Sequence, residues 1–453
     1  MSYIDTTAIG DSLHRLAKLA LDSGEAASVE DALALFRSYA LHIAVGPDVR
    51  ASPARQAALL TAVNTGRRAF LGGVTVSGDL AIPLCVDLPG LADLADAVEL
   101  YGGQHVDADP GSGAAIAIGA VSAPRGLRSF ARGWVAGCAP VGHAEISDDP
   151  DAFVLAGVAA GALAVCEAFQ IVRRSNPAAG RRTIGLSLWQ LGLDWRDPAA
   201  EGQPVDHLPA SAWLIGLGNL GQAYLWAFGF LPYAQPEKLH LVLQDFDRIA
   251  PSNDSTSILT DLSMVGMRKT RAMAAWAERR GFSTSLIERR FDRHFTVSAE
   301  DPAVALCGVD NALARSALEE VGFGRIIEAG LGNGVSDFLA MRMHSFPAKR
   351  TAHEIWSRAR PAAASLLDRP AYRALADKGG ERCGLVQLAG RTVGAPFVGA
   401  LAGSLVVAEL VRLANGGPST AMLDMHLRSP DQIHAVLQPE SFAFNPGSLP
   451  ARS

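Results

Sequence analysis

The loop Gly216-Leu-Gly218-Asn-Leu-Gly221 is followed, at widening intervals, by Asp245, Asn253, Lys269 and Asp310. Those are residue types that handle a nucleotide and its phosphates. Glycines at this spacing let the chain turn tightly and bring backbone N–H groups to a phosphate at the positive end of the next helix. Asp245 stands about twenty residues past the loop, where a carboxylate can accept both ribose hydroxyls. Asp247 shares that position in Asp-Phe-Asp, and a turn aspartate describes either residue equally well. A nicotinamide-dependent dehydrogenase would have the same loop and the same carboxylate. Lys269 and Asp310 are the residues it would leave without a task.

The elements that must position these residues are legible around them. Residues 212–215 read as a strand, 222–230 as a helix and 239–244 as a strand, which is how a parallel, doubly wound sheet begins. Further strands are expected at 303–306 and 325–328, and helices at 269–280 and 312–321. In the first half, helices are expected at 32–43, 52–70 and 91–101, and strands at 73–76, 82–86, 115–118 and 183–188. The polar, Pro-bearing segment 196–209 is the best linker candidate. The fold class is α/β, with a second α/β domain before the glycine loop.

The order Asp245, Asn253, Gly266, Lys269, Asp310, with Asn311 and Arg315 after it, resembles the ThiF/MoeB family of adenylyltransferases, which includes the ubiquitin-activating enzymes. The resemblance covers roughly residues 206 to 413. It implies a Rossmann-like, ThiF-type sheet and ATP as cofactor. Gly216, Gly218 and Gly221 would cradle phosphate, Asp245 with Asp247 would hold the ribose, and Asn253 and Lys269 would contact the triphosphate. Asp310 would bind magnesium. Attack of a carboxylate on the α-phosphorus gathers negative charge, which a lysine and a metal ion can offset. Hydride transfer has no such need.

One departure stands out. Where the family carries an Arg-Gln pair after the asparagine, this chain reads Asn253-Asp254-Ser255-Thr256-Ser257. Arg268 or Arg271 could replace the arginine from the next helix, or Arg67 or Arg68 from the first domain. Cys383, in Gly-Glu-Arg-Cys-Gly, occupies the position of the thioester-forming cysteine of several family members, and Arg382 would favour its thiolate. A semi-buried small residue fits the same local sequence. Residues 344–380 read as a crossover segment over a bound C-terminus or as an ordinary helical insertion. The implied reaction is adenylation of the C-terminal carboxylate of a small ubiquitin-like carrier protein, with a conjugating enzyme as a further partner. The alternatives are a non-catalytic nucleotide- or carrier-binding scaffold and an NAD-dependent oxidoreductase.

Composition sets the remaining bounds. With 453 residues, 49% hydrophobic and a formal charge of -6, the chain suits two or three buried cores and argues against nucleic acid as the main partner. Cysteines 85, 138, 166, 307 and 383 form no CxxC pair, so neither a disulfide framework nor structural zinc is expected. The start lacks a secretory pattern, and the apolar run 152–172 contains Glu167, so a buried helix and a cytoplasmic location are expected, without membrane insertion. Finally, Gly157 to Glu167 aligns without gaps on Gly399 to Glu409. This points to two related domains packed as a pseudo-dimer: 1–205 as an inactive copy, 206–440 as the ATP-binding adenylation domain, and 441–453 as a tail.

Overall fold

The computed structural model describes residues 6–143, 148–357, 364–377, 382–438 and 447–452. The first sheet contains β1 (Leu41–Val45), β2 (Val74–Ser77), β3 (Gly103–His105), β4 (Ala114–Ile118), β5 (Leu127–Arg132), β6 (Val135–Pro140) and β7 (Ile184–Ser187), in the order β3-β2-β1-β4-β5-β6-β7. Strands β1 to β5 pair in parallel, and β6 and β7 join antiparallel. All five residues of β4 are buried, as expected of a central strand covered on both faces.

After the short β8 (His207–Pro209), the second sheet contains β9 (Ser211–Ile215), β10 (His240–Gln244), β11 (Ser283–Ile287), β12 (Val304–Cys307), β13 (Arg325–Leu331), β14 (Ala340–Phe346), β15 (Thr420–His426) and β16 (His434–Leu437). Its order is β11-β10-β9-β12-β13-β14-β15-β16. Here too the first five strands are parallel and the rest antiparallel. Without β16, the two sheets have one topology. In the tail, β17 (Ser448–Pro450) pairs with β8.

Helices α1 (Thr6–Ser12), α2 (Lys18–Ser23), α3 (Val29–Arg37), α4 (Pro53–Ala69), α5 (Leu94–Leu100) and α6 (Val154–Arg173) belong to the first half. The second half carries α7 (Asn219–Phe230), α8 (Lys269–Glu278), α9 (Ala312–Ser316), α10 (Ala352–Trp356), α11 (Pro370–Asp377), α12 (Arg382–Gly390) and α13 (Pro396–Ala414). Helix α4 follows β1 as α7 follows β9, and α6 packs on α4 as α13 packs on α7. Small residues allow both contacts. A Cβ at Gly157 or Gly161 would overlap the α4 backbone at Ala54 or Ala58, and one at Gly403 would lie 2.6 Å from Ala223 O of α7. Helices α6 and α13 also pack on each other and so join the halves. Both are long and apolar enough to cross a membrane by composition, yet 94% and 89% of their most apolar windows are buried in this fold.

The aligned glutamates make the same bond. Glu167 accepts the Gly180 N–H at 3.1 Å beside Arg182, and Glu409 accepts the Thr420 N–H at 2.9 Å beside Arg325 and Arg412. Each fixes the chain returning from its helix to the sheet.

Several sequence expectations are corrected. The helix expected over 32–43 ends at Arg37, and Leu41–Val45 becomes the central strand β1. Short apolar runs fit either form, and the parallel partners β2 and β4 decide this one. Residues 82–86 form no strand. Their backbone is instead held by Gln56, which donates to Pro83 O at 3.0 Å and accepts from Cys85 N at 2.8 Å.

Candidate nucleotide site

Strands β9, β10 and β12 are neighbours, so the segments leaving their carboxyl ends converge. Such an edge of a parallel sheet is where an α/β fold binds nucleotides. After β9 the chain turns at Gly216, with φ +86°, in the left-handed region that glycine occupies without strain. Gly221 lets α7 approach the turn: a Cβ there would overlap Gly216 O. Gly218 differs, because a Cβ would meet nothing within 4 Å. The space in front of the loop is open at the N-terminus of α7.

Asp245, 9% exposed, follows β10. Its Oδ2 accepts the Leu217 N–H of the glycine loop at 2.7 Å, and its Oδ1 accepts the Asp247 N–H at 2.8 Å. The carboxylate therefore braces the loop, and each oxygen retains a lone pair for a ribose hydroxyl. Lys269 opens α8 and is 8% exposed. Its Nζ lies 3.1 Å from Asp247 Oδ2 and 3.9 Å from Asp245 Oδ2. Glycine loop, aspartate pair and lysine are thus one connected group.

Asn253 lies in the turn Pro251–Ser255 and accepts the Ala250 N–H at 2.8 Å through Oδ1. Its Nδ2 has no partner among the described residues and is available as a donor. Asp310 is reached from β12 through Gly308, whose N–H bonds Ile215 O at 2.9 Å, and through Val309, which packs on Gly216. It is exposed, and its carboxylate has no partner among the described residues. No group of three or more His, Cys, Asp or Glu among these residues is placed to hold a metal. A single carboxylate does suit magnesium, which usually takes one or two carboxylates plus substrate phosphates and water.

The arginines fall differently from expectation. Arg67 pairs with Asp254 at 2.8 Å. Arg68, 2% exposed, bonds the carbonyls of Asp254 and Thr260 at 2.8 Å each, and burial pushes it down to about 9. Both cross from the first half, but they are committed to holding the turn after Asn253. Arg268 is tied to Phe246 O, and Arg271 to Glu288. Arg15, which sequence reasoning missed, enters from the α1–α2 connection. Its backbone N–H donates to Ser255 Oγ at 3.0 Å, its Nη2 donates to Ser252 Oγ at 3.2 Å, and its buried Nη1 has no hydrogen-bond partner among the described residues. Burial, then Arg391 nearby, lowers it to about 10, so it remains cationic at neutral pH. It flanks Asn253 with a guanidinium group that is not fully used. Some 240 residues separate it from Ser255, and no local pattern marks it.

Cys383 lies near the start of α12, but its side chain and the residues just before Arg382 lie outside the described residues. Cys138, Cys166 and Cys307 are buried, and burial raises all three thiols, Cys307 to about 12. None of these is a ready nucleophile. The equivalent of the glycine loop in the first half is Gly46-Pro47-Asp48, after β1. There Asp48 Oδ1 accepts the Ala120 N–H at 2.7 Å, and Asp48 pairs with Arg55 at 3.2 Å. The Asp48 carboxylate lies close against Gly46 and Gly119, so this turn is filled where the second half's is open.

An open glycine loop at the carboxyl edge of five parallel strands, braced by an aspartate with a buried lysine beside it, is the geometry of a nucleotide-binding α/β domain. Comparison with known proteins gives the family. Residues 208–417 match the BilD C-terminal domain, and residues 40–188 match the BilD N-terminal domain. The bacterial E1-like protein BilD of Collimonas sp. (strain OK412) is 46% identical over 414 residues, covering 90% of this chain and 89% of that protein. The chain belongs to the BilD family of bacterial E1-like proteins. Among solved structures, E. coli MccB with MccA-N7isoASN is 13% identical with a TM-score of 0.33, over 52% of this chain and 66% of that one. E. coli tRNA N6-threonylcarbamoyladenosine dehydratase TcdA in complex with AMP is 15% identical with a TM-score of 0.31, over 46% and 86%. These likenesses are too distant to transfer the role of any residue.

Proposed function

We propose that the second half of this chain binds ATP and adenylates the C-terminal carboxylate of a small ubiquitin-like carrier protein. The carboxylate attacks the α-phosphorus, the bond from that phosphorus to the α–β bridging oxygen breaks, and pyrophosphate leaves. The observation that carries this reading is Lys269, buried against Asp245 and Asp247 beside an open glycine loop. A cation held there can meet the charge that develops on the phosphates. Magnesium, held by Asp310 and the phosphates, would supply further charge neutralisation. Asn253 Nδ2 and Arg15 Nη1, which lies beside Asn253, are further donors available to the phosphates. Cys383 then takes the carrier as a thioester: its thiolate attacks the acyl carbon, AMP leaves with the bonding electrons, and the thiol proton passes to solvent.

The domain division supports this assignment. We read 1–205 as an inactive copy of the unit in 206–440, because the two sheets share a strand order and Asp48 fills the first loop. The arginine missing after Asn253 is what favours a non-catalytic scaffold, and Arg15 beside Asn253 supports the catalytic reading as a candidate replacement. An NAD-dependent oxidoreductase leaves Lys269 and Asp310 without a task. Titration with ATP and with NAD separates these readings.

The test is pyrophosphate exchange by the full chain with ATP, magnesium and candidate small proteins ending in glycine. Exchange that requires both carrier and magnesium is expected. No exchange with a carrier that demonstrably binds would reject the activity. For the thioester, Cys383→Ala should abolish the thiol-reducible adduct and leave exchange intact; an adduct that persists removes Cys383 from the mechanism.

A further inference from the structure

The turn that carries Asp310 is also braced from behind by the Arg315 guanidinium. Arg315, 5% exposed on α9, donates from Nε to Val309 O at 2.7 Å and from Nη2 to Ala329 O at 2.8 Å. It thereby ties the segment leaving β12 to β13. Its counter-charge is Glu328, fully buried, with Oε2 at 3.8 Å. Glu328 Oε1 accepts the Trp356 Nε1–H at 2.7 Å and bonds His344 Nδ1 at 2.8 Å. The indole of Trp356 also lies against the guanidinium, 4.4 Å from its carbon. Strand β13 makes room for it: a Cβ at Gly330 would lie 2.8 Å from Arg315 Nη1.

Four elements, α9, β13, β14 and α10, are shaped around this group. Apolar side chains of similar volume would stabilise the core at least as well, because burying an ion pair carries a large desolvation penalty. What the ionic arrangement supplies is a fixed position for Val309 O, and hence for the next residue, Asp310. We infer that Arg315, backed by Glu328 and Trp356, is a positioning residue that sets how strongly magnesium strengthens ATP binding at Asp310. This rests on the ATP reading above. Partners that orient a metal-holding group typically change metal affinity by 10- to 100-fold when removed.

The measurement is equilibrium ATP binding to the full chain with and without magnesium, by calorimetry, on wild type, Arg315→Lys and Trp356→Phe. Lysine keeps the charge but cannot span both carbonyls, and phenylalanine keeps the ring but lacks the N–H. Each variant should reduce the gain in affinity on adding magnesium by about tenfold or more, with magnesium-free ATP binding preserved. Gly330→Ala should act in the same direction. Variants that keep the wild-type gain, or that lose magnesium-free binding in equal proportion, overturn the inference and leave the ATP reading standing. A wild-type chain that binds ATP with no gain from magnesium overturns both.

Discussion

Gly218 and Gly221 stand three residues apart in one loop, and the same substitution should affect them differently. At Gly221 the added Cβ of alanine overlaps Gly216 O, so Gly221→Ala must move α7 away from the turn after β9. Overpacking of this kind costs about 1 to 3 kcal/mol, which thermal unfolding would detect. At Gly218 the Cβ enters open space, so Gly218→Ala should unfold with the wild type and, on the ATP reading proposed above, still lose ATP affinity by placing a methyl in the path of the phosphates. Equal ATP binding by Gly218→Ala would mean the nucleotide does not use this loop. Lys269→Ala should reduce pyrophosphate exchange by about 10² to 10³, the usual effect of removing a group that meets developing charge. The type and order of these residues were legible in the sequence because each is set by local spacing. The bracing of the loop by Asp245 and the arrival of Arg15 were not, since both depend on pairs that only the fold brings together.

At the scale of elements, α6 and α13 show what the aligned Gly157–Glu167 and Gly399–Glu409 segments accomplish. Their small residues let each helix meet the backbone of its neighbour, and their glutamates fix the return to the sheet. Gly403→Ala would bring a Cβ to 2.6 Å from Ala223 O, and the main chain has little freedom to move there. A stability loss of about 1 to 3 kcal/mol is expected in denaturant titration, against almost none for Gly390→Ala, where the Cβ meets nothing within 4 Å. The helix pattern was readable because it is strong and repeated. Strand β1 was misread because five apolar residues beside a helix carry no period of their own, and β3, β5, β6, β11, β14 and β16 were also missed. The α1–α2 connection makes a prediction about acid. His14 Nδ1 accepts the Ala17 N–H at 3.2 Å, and burial lowers its imidazole to about 4. Below its ordinary value of 6.5 the unfolded chain takes up the proton first, so stability falls as pH drops from 6.5 towards 4. His14 is partly exposed, and a loss of about 2 to 3 kcal/mol is expected. His14→Gln should flatten that part of the stability-pH curve; an unchanged slope would mean His14 titrates normally.

At the scale of the molecule, each half completes the other. Trp226 of α7 donates to Thr61 of α4 at 3.0 Å, Asn64 donates to Ile258 O at 3.0 Å, and Tyr372 of α11 donates to Asp22 of α2 at 2.6 Å. The second half contains the glycine loop, Lys269 and Asp310, whereas the arginine beside Asn253 comes from the first. Two consequences follow if the chain is divided between Val205 and Asp206 and the pieces are expressed together. The pieces should purify as a one-to-one complex, because α6 and α13 are buried against each other and each piece alone would expose that face of its apolar helix. Residues 206–453 expressed alone should aggregate. Placing Arg15→Ala in the first piece should leave the complex intact, since Arg67, Arg68 and the helix contacts remain, while exchange falls by about 10-fold or more through loss of one charged donor. A second piece that stays monomeric and exchanges pyrophosphate at the full rate would show that the first half is dispensable for the chemistry. Loss of exchange in the Arg15→Ala complex, with assembly unchanged, would instead place the first half inside the active site, as the source of a cation that the sequence after Asn253 no longer encodes.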